Sequence, residues 1–440
     1  MIDPTVAVII SIPFVLVLMA IGMPIYASLG ITGILGCLAI KGPHIALTQL
    51  KVFPYVNTAS YLLAVVPLFI IMGHFAFNAG ISRDAYTIGR KWLSRFPAGL
   101  GMATIFGCAG FAATCGSSVA TAATMGAIAL PEMYERGYSK KIACGIVAAG
   151  GVLGILIPPS VIAVFYASIT DTSAGAQLVG GVIPGVLSVL VYLLGLWFLS
   201  LLDPTLTPAP ESISWLERLK SLRGGIGMAL LFFIVIGGLY AGWFTPTEAA
   251  SAGAFFSLIM MLLRRAEGGK LSVKIKEGFK ETLRTTCMVF IVLIGAGLYS
   301  FFLTLAQVPQ SISVWVGTLP IPKLAIVALF LLVYIPLGMF MDSFSMLVIT
   351  LPITFPIVVD QFGFDPVWFG VLSTKMCEIG LITPPVGLNV YVLAGVAKDV
   401  PLEDIFRGCF WFIIFEVIST TIILFFPILS TYLPGTMYGR

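Results

Sequence analysis

The chain is 440 residues long, 59% hydrophobic and only 10% charged, with a formal net charge of +4. A soluble domain carries about 25% charged residues, so the composition excludes an ordinary water-soluble protein and commits the chain to a lipid bilayer. The small positive balance gives no sign of a nucleic-acid partner.

The opening "MIDPTVAVIISIPF" has no basic n-region and no small-residue cleavage site, so it reads as a first span, not a removed signal. Apolar runs able to cross the hydrocarbon core lie at 5–22, 24–40, 58–79, 142–168 and 178–202. A polar, proline-containing linker at 203–223 precedes a second set at 224–243, 247–263, 285–305, 366–397 and 404–433. Between the third and fourth run of each set lies a short arm and then an interrupted apolar stretch. In the first half the arm is "ISRDAYTIGRKWLSR" (81–95), amphipathic and basic, which suits a helix flat on the cytoplasmic surface. Its counterpart at 307–321 is uncharged and is expected on the outer face. A plainer reading makes both of them loops. The stretches 97–130 and 323–359 are broken by "TCGSS" and "MDSFS" and read as hairpins that enter and leave by one face. Such backbone is tolerated only where protein or a wet cavity covers it.

A shift of 226 residues lays the halves over one another. It carries Pro158-Pro159 onto Pro384-Pro385, Gly154 onto Gly380, Ser117 onto Ser343, Thr124 onto Thr350 and Gly137 onto Gly363. Five spans per half is an odd number, so the second half must be inverted. With the N-terminus outside, the segments 81–95, 131–141, 203–223, 264–284 and 398–407 face inward and collect 19 of the 24 Lys and Arg. That is a strong positive-inside bias, and it puts both termini outside. The fold expected is an all-α polytopic membrane protein of two inverted repeats, 1–202 and 224–440. Inverted repeats with broken helices are a recurrent plan of secondary transporters, which bind at the repeat interface near mid-membrane.

Proline removes an N–H and clashes with the carbonyl four residues back. Two adjacent prolines therefore free several carbonyls at one level, in "GILIPPS" (154–160) and again in "GLITPPVGLN" (380–389). The alternative is a purely structural kink, which the pairing of two such motifs with two polar hairpin tips argues against. Hard cations prefer oxygen ligands, so each tip facing one break suits Na⁺, giving two sites. The first would use Gly116, Ser117, Gly154 and Ile157, the second Asp342, Ser343, Gly380 and Thr383. Asp342 reads equally as a cap of the hairpin tip. Half-helix N-termini point positive dipole ends inward, which favours an anionic substrate. Ser118, Thr124, Ser345, Thr350 and Asn389 are its candidate ligands.

Lys375 and Glu378 lie one turn apart just before the second break. A charge at helix centre costs at least ~2.5–3.5 kcal/mol, so they are expected to face protein and to pair, with a substrate or proton role as the alternative. Trp92, Trp243, Trp315, Trp368 and Trp411 fall near span ends and read as interfacial anchors. The seven cysteines form no CxxC pair and read as small packing residues. His44 and His74 are too few for a histidine metal cluster or proton relay. No G-x-x-x-x-G-K-[ST] loop occurs, which argues against ATP hydrolysis.

"FAATCGSSVATAATMG" (111–126), "GILIPPS" and "EIGLITPPVGLN" (378–389) resemble the large membrane subunit of tripartite ATP-independent periplasmic (TRAP) transporters, within the ion transporter superfamily. The resemblance spans essentially the whole chain. It implies an elevator-type, Na⁺-driven importer of an organic acid anion in the bacterial inner membrane. Its partners would be a separate small four-helix membrane subunit and a periplasmic substrate-binding protein. Residues 81–202 and 307–433 would supply most of the moving part, and spans 5–79 and 224–305 the scaffold. Members carry C4-dicarboxylates, sialic acid and other organic acids. Two departures stand out: Cys115 replaces the first serine of the usual Ser-Gly-Ser tip, and Lys375 stands where an apolar residue is expected. Rival readings are a stand-alone carboxylate transporter of the superfamily, an intramembrane serine hydrolase using Ser117 or Ser118, and a non-transporting scaffold. The hydrolase lacks a recognisable histidine partner motif.

Overall fold

A computed structural model describes residues 2–203, 206, 208, 210, 213–264 and 270–437. Arg265, one of the 19 inward Lys and Arg, lies outside them, as does part of the predicted linker. Among the described residues every regular element is helical. The first half contains α1 (Pro4–Ala20), α2 (Ile25–Lys41), α3 (Pro43–Thr58), α4 (Val65–Asn78), α5 (Ile81–Leu93), α6 (Gly99–Cys115) and α7 (Ser118–Glu135). It continues with α8 (Lys140–Leu156), α9 (Val161–Thr170), α10 (Ala174–Gly180) and α11 (Val182–Leu202). The second half begins with α12 (Trp215–Phe232), which runs through a π turn into α13 (Gly238–Tyr240), then α14 (Pro246–Leu263), α15 (Leu271–Leu305) and α16 (Val308–Gly317). After these come α17 (Lys323–Gly338), α18 (Ser343–Phe355), α19 (Pro366–Ile382), α20 (Leu388–Val396), α21 (Leu402–Phe425) and α22 (Ile428–Met437). Seven helices among these residues are long and apolar enough to cross a membrane.

Local chemistry explains many boundaries. Asp365 caps α19, its Oδ1 accepting from the N–H groups of Val367 and Trp368 at 2.8 and 3.1 Å, with Pro366 at the first helical position. Thr245 and Glu248 form a capping box at the start of α14. The helix α8 stops at Leu156 because Pro158 and Pro159 offer no N–H, and α9 restarts 42° off its axis. Ser160 opens α9, its Oγ accepting from the Ala163 N–H at 3.1 Å. Both bounds of α19 lie 226 residues beyond those of α8, and α20 follows α9 at that spacing to within one residue.

Several elements differ from the reading by apolar runs. Residues 43–58 form α3, a helix packed on α2 and α15, although Thr48, Gln49, Lys51 and Asn57 interrupt its hydropathy. The span expected at 285–305 is the end of a 35-residue helix, α15, whose first turns carry Lys274, Lys276, Lys280 and Arg284. Those turns contain strong helix formers that a hydropathy window ignores. The linker reading of 203–223 is shortened, because Ser214 caps α12 and Trp215 already belongs to that helix. Both arms are helices, α5 and α16.

The centre of the molecule is α8 beside α19. Every residue from Ile142 to Leu156 and from Val367 to Ile382 is buried. The helices α6, α7 and α21 close around α8, while α17, α18 and α21 close around α19. At the periphery, α1 and α11 turn Ile9, Val17, Leu194 and Phe198 outward, as lipid contact requires. Trp368 is a correction: it is fully buried, with its indole N–H donating to the Ile423 carbonyl at 2.9 Å. The helix end that looked interfacial by sequence is covered by α21. Trp243 and Trp315 are exposed. Six cysteines are buried and Cys287 is exposed, all as free thiols.

Glycine permits the tightest crossings. A Cβ on Gly295 of α15 would fall 2.0 Å from the Tyr26 carbonyl oxygen of α2. Gly295→Ala must therefore push these two helices apart, at a cost of about 1–3 kcal/mol. The expected outcome is a lower melting temperature of the purified protein. Unchanged melting would show that α2 and α15 separate freely.

Candidate functional site

The first hairpin turns between α6 and α7 at Gly116, whose φ of 61° lies in the left-handed region where a side chain is disfavoured. Ser117 follows in extended conformation and its Oγ accepts from the Ala120 N–H at 3.4 Å. This tip sits directly on the first break. A Cβ on Gly116 would lie 2.4 Å from the Pro159 carbonyl oxygen, and one on Gly154 would lie 2.9 Å from the Ser117 carbonyl. Thr121 donates to that same Ser117 carbonyl at 2.7 Å, and Cys115 Sγ lies 3.4 Å from its hydroxyl. On the opposite side Gly73 of α4 abuts the Cys115 backbone. Because Pro158 and Pro159 cannot donate, the carbonyls of Gly154 and Ile155 lose their helical partners. Ser160 Oγ donates to the Ile155 carbonyl. Gly116, Ser117 and Gly154 are thus brought together. Ile157 is extended at the helix end, and its side chain packs against Gly185 of α11.

The second hairpin is built differently at its tip. Asp342 caps α18: its Oδ1 accepts from the Phe344 and Ser345 N–H groups at 3.0 and 3.1 Å, and its Oδ2 from Ser345 Oγ at 2.7 Å. Ser343 and Ser345 are buried. The second break at Gly380 is met by Gly338, the last residue of α17, at backbone contact. Thr383 turns back on its own helix, its hydroxyl donating to the Ile379 carbonyl at 2.6 Å and its N–H to the Gly380 carbonyl at 3.2 Å. Gly380 and Thr383 therefore form one local unit. Asp342 and Ser345 form another, and Gly338 supplies the nearest backbone to Gly380.

The halves also interlock. The second arm of each hairpin packs on the half-helix after the other break, α7 on α20 and α18 on α9. Phe344 meets Phe165 edge-on at 4.9 Å between ring centroids. Asn389, at the start of α20, is fully buried and its Nδ2 reaches the Ala148 carbonyl of α8 at 3.5 Å. Its Oδ1 is buried with no partner. Ser118 is buried in the first turn of α7 and Thr124 is half-buried two turns on. Thr350 is held inside the second hairpin, its hydroxyl 2.7 Å from that of Tyr334 and 2.8 Å from the Met346 carbonyl.

Lys375 and Glu378 do pair, Nζ to Oε2 at 2.9 Å. The pair is part of a larger cluster that apolar runs concealed. Lys375 Nζ also bonds Glu416 Oε2 of α21, and Tyr192 of α11 donates to Glu416 Oε1. All four side chains are wholly buried. Glu378 Oε1 has no hydrogen-bond partner. Glu416 carried a usable signal, a lone carboxylate inside an apolar run, though not one that named its partner.

The chemistry this arrangement offers is that of backbone carbonyls, hydroxyls and one amide. No group of three or more His, Cys, Asp or Glu side chains that could hold a metal occurs among the described residues. His74 Nδ1 lies 3.3 Å from Asn78 Nδ2, and its ring approaches Gly278 of α15. Gly116 comes against the Pro159 carbonyl and Gly154 against that of Ser117, so backbone carbonyl oxygens gather where the first tip meets the first break.

Residues 12–429 match the family described as the tripartite ATP-independent periplasmic transporter, DctM component. A "C4-dicarboxylate TRAP transporter large permease protein DctM" of Pseudomonas aeruginosa is 33% identical over 413 residues, covering 93% of this chain and 94% of that protein. A "Sialic acid TRAP transporter large permease protein SiaM" of Vibrio cholerae is 29% identical over 384 residues, covering 86% and 88% respectively. The YdaH transporter of Alcanivorax borkumensis shares the fold, with a TM-score of 0.61 at 14% identity over 97% of this chain and 98% of that one.

Proposed function

The chain belongs to the DctM family of TRAP transporters, secondary transporters and not enzymes, and from that premise we propose that it imports an organic acid anion coupled to Na⁺. The substrate would be a C4-dicarboxylate, sialic acid or a related carboxylate, as carried by proteins with the names of its relatives. Its membrane is the bacterial inner membrane, with both termini in the periplasm, an orientation supported by the inward bias of Lys and Arg. A separate small four-helix membrane subunit and a periplasmic binding protein complete the system.

The observation that carries the Na⁺ reading is the seating of the first tip on the first break, with Gly116 against the Pro159 carbonyl and Gly154 against that of Ser117. A second site would form at Asp342, Ser343, Gly380 and Thr383. The spacing of 226 residues between α8 and α19 supports an inverted repeat. The buried cores of 81–202 and 307–433 would move as one body against a scaffold of spans 5–79 and 224–305. The substrate carboxylate would lie near Asn389, Ser118, Thr124, Ser345 and Thr350. Each net positive charge carried inward, Na⁺ in excess of the anion's charge, gains about 2.3 kcal/mol per 100 mV.

Uptake into proteoliposomes with both partners present should require an inward Na⁺ gradient. Uptake that ignores its removal would sink the coupling. Uptake by this chain alone, undiminished without partners, would establish the stand-alone carrier instead.

A further inference from the structure

Arg218, in the first turn of α12, is 8% exposed, and its Nε is buried without a hydrogen bond. It forms no ion pair among the described residues. Asp84 of α5 pairs with Arg264, and Glu132 of α7 with Arg90. Its guanidinium lies over the face of Trp215, 5.6 Å from the ring centroid. Trp92, at the end of α5, stacks obliquely on the same indole at 5.7 Å, and its N–H is also buried without a partner. Two orphaned donors, one of them cationic, therefore border a single ring. A buried guanidinium left without an anion is strongly unfavourable. The group that best satisfies such a cation is an oxyanion, and a guanidinium matches phosphate geometry especially well.

The surroundings say which oxyanion. Just beyond Arg218 the helix becomes an apolar span, and Leu216, Leu219 and Leu222 are exposed along its flank, where acyl chains would lie. Lys220 and Arg223 are exposed beside them. Paired tryptophans at a span end mark headgroup level, and clustered basic residues there attract anionic lipid. We propose that the junction between the end of α5 and the start of α12 is a headgroup site for an anionic phospholipid, with Arg218 as the phosphate ligand and Trp92 as a second donor. A lipid seated there would fill the join between the arm α5 and its neighbour α12.

The test is thermal melting of the delipidated full-length protein in detergent, with phosphatidylglycerol, phosphatidylcholine of the same chains, or inorganic phosphate added. Phosphatidylglycerol should raise the wild-type melting temperature by about 5 °C, and the other two should do far less. Arg218→Gln should lose most of that rise. Trp92→Phe keeps the ring, removes the N–H and should lose part of it, which keeps the test alive if Arg218→Gln fails to fold. An equal rise with phosphatidylcholine or with free phosphate overturns the proposal. So does an undiminished rise in both variants. A variant that keeps the lipid rise but loses binding of the small membrane subunit would assign Arg218 to a protein carboxylate instead.

Discussion

Lys375→Met is expected to leave little folded protein. The ammonium lies between Glu378 and Glu416 at the fully buried contact of α19 with α21, and Tyr192 completes the shell from α11. Removing it leaves two carboxylates facing each other without a cation, away from water. Breaking a buried pair in this way costs about 3–5 kcal/mol, against a total stability on the order of 5–15 kcal/mol. The readout is the yield of monodisperse protein by size-exclusion chromatography and its melting temperature. Adding Glu378→Gln and Glu416→Gln to the same variant should recover much of the loss, because the uncompensated charge is then gone. Wild-type melting of Lys375→Met alone would show that water or another cation reaches this cluster.

Asn389→Ala is expected to fold and to transport poorly. The side chain is buried and its Oδ1 lacks a partner, while its Nδ2 makes only a long contact to the Ala148 carbonyl. A neutral hydrogen bond of this kind contributes about 1 kcal/mol or less to stability, so the fold should survive. A hydrogen bond to a charged ligand is worth about 1.5–3 kcal/mol, so uptake at matched protein should fall by roughly 10- to 100-fold. An unchanged uptake rate would remove Asn389 from the site and leave its oxygen a structural matter.

Much of this site was legible because its causes are local. Proline acts on the carbonyl four residues back, so both breaks could be placed from "GILIPPS" and "GLITPPVGLN". Glycine marks the tip at Gly116 for the same reason. The cluster around Lys375 was legible only in part. Glu378 lies on the same helix, one turn away, and could be paired by spacing. Glu416 and Tyr192 come from other helices, and no spacing along the chain points to them. Hydropathy likewise hid α3, since polar residues such as Gln49 and Lys51 break an apolar run without breaking a helix.

The sequence by itself determined that the chain is a membrane protein, and it placed two helix breaks and two interrupted apolar stretches along it. Composition, proline chemistry and the 226-residue spacing are properties of the chain read in order. Only the tertiary structure decided that Gly380 meets Gly338, that Trp368 is buried under α21, and that Asn389 crosses to α8. Those contacts depend on how each helix is rotated and how closely it crosses its neighbour. Backbone sterics at a handful of glycines set that geometry, and it appears only when the helices are packed.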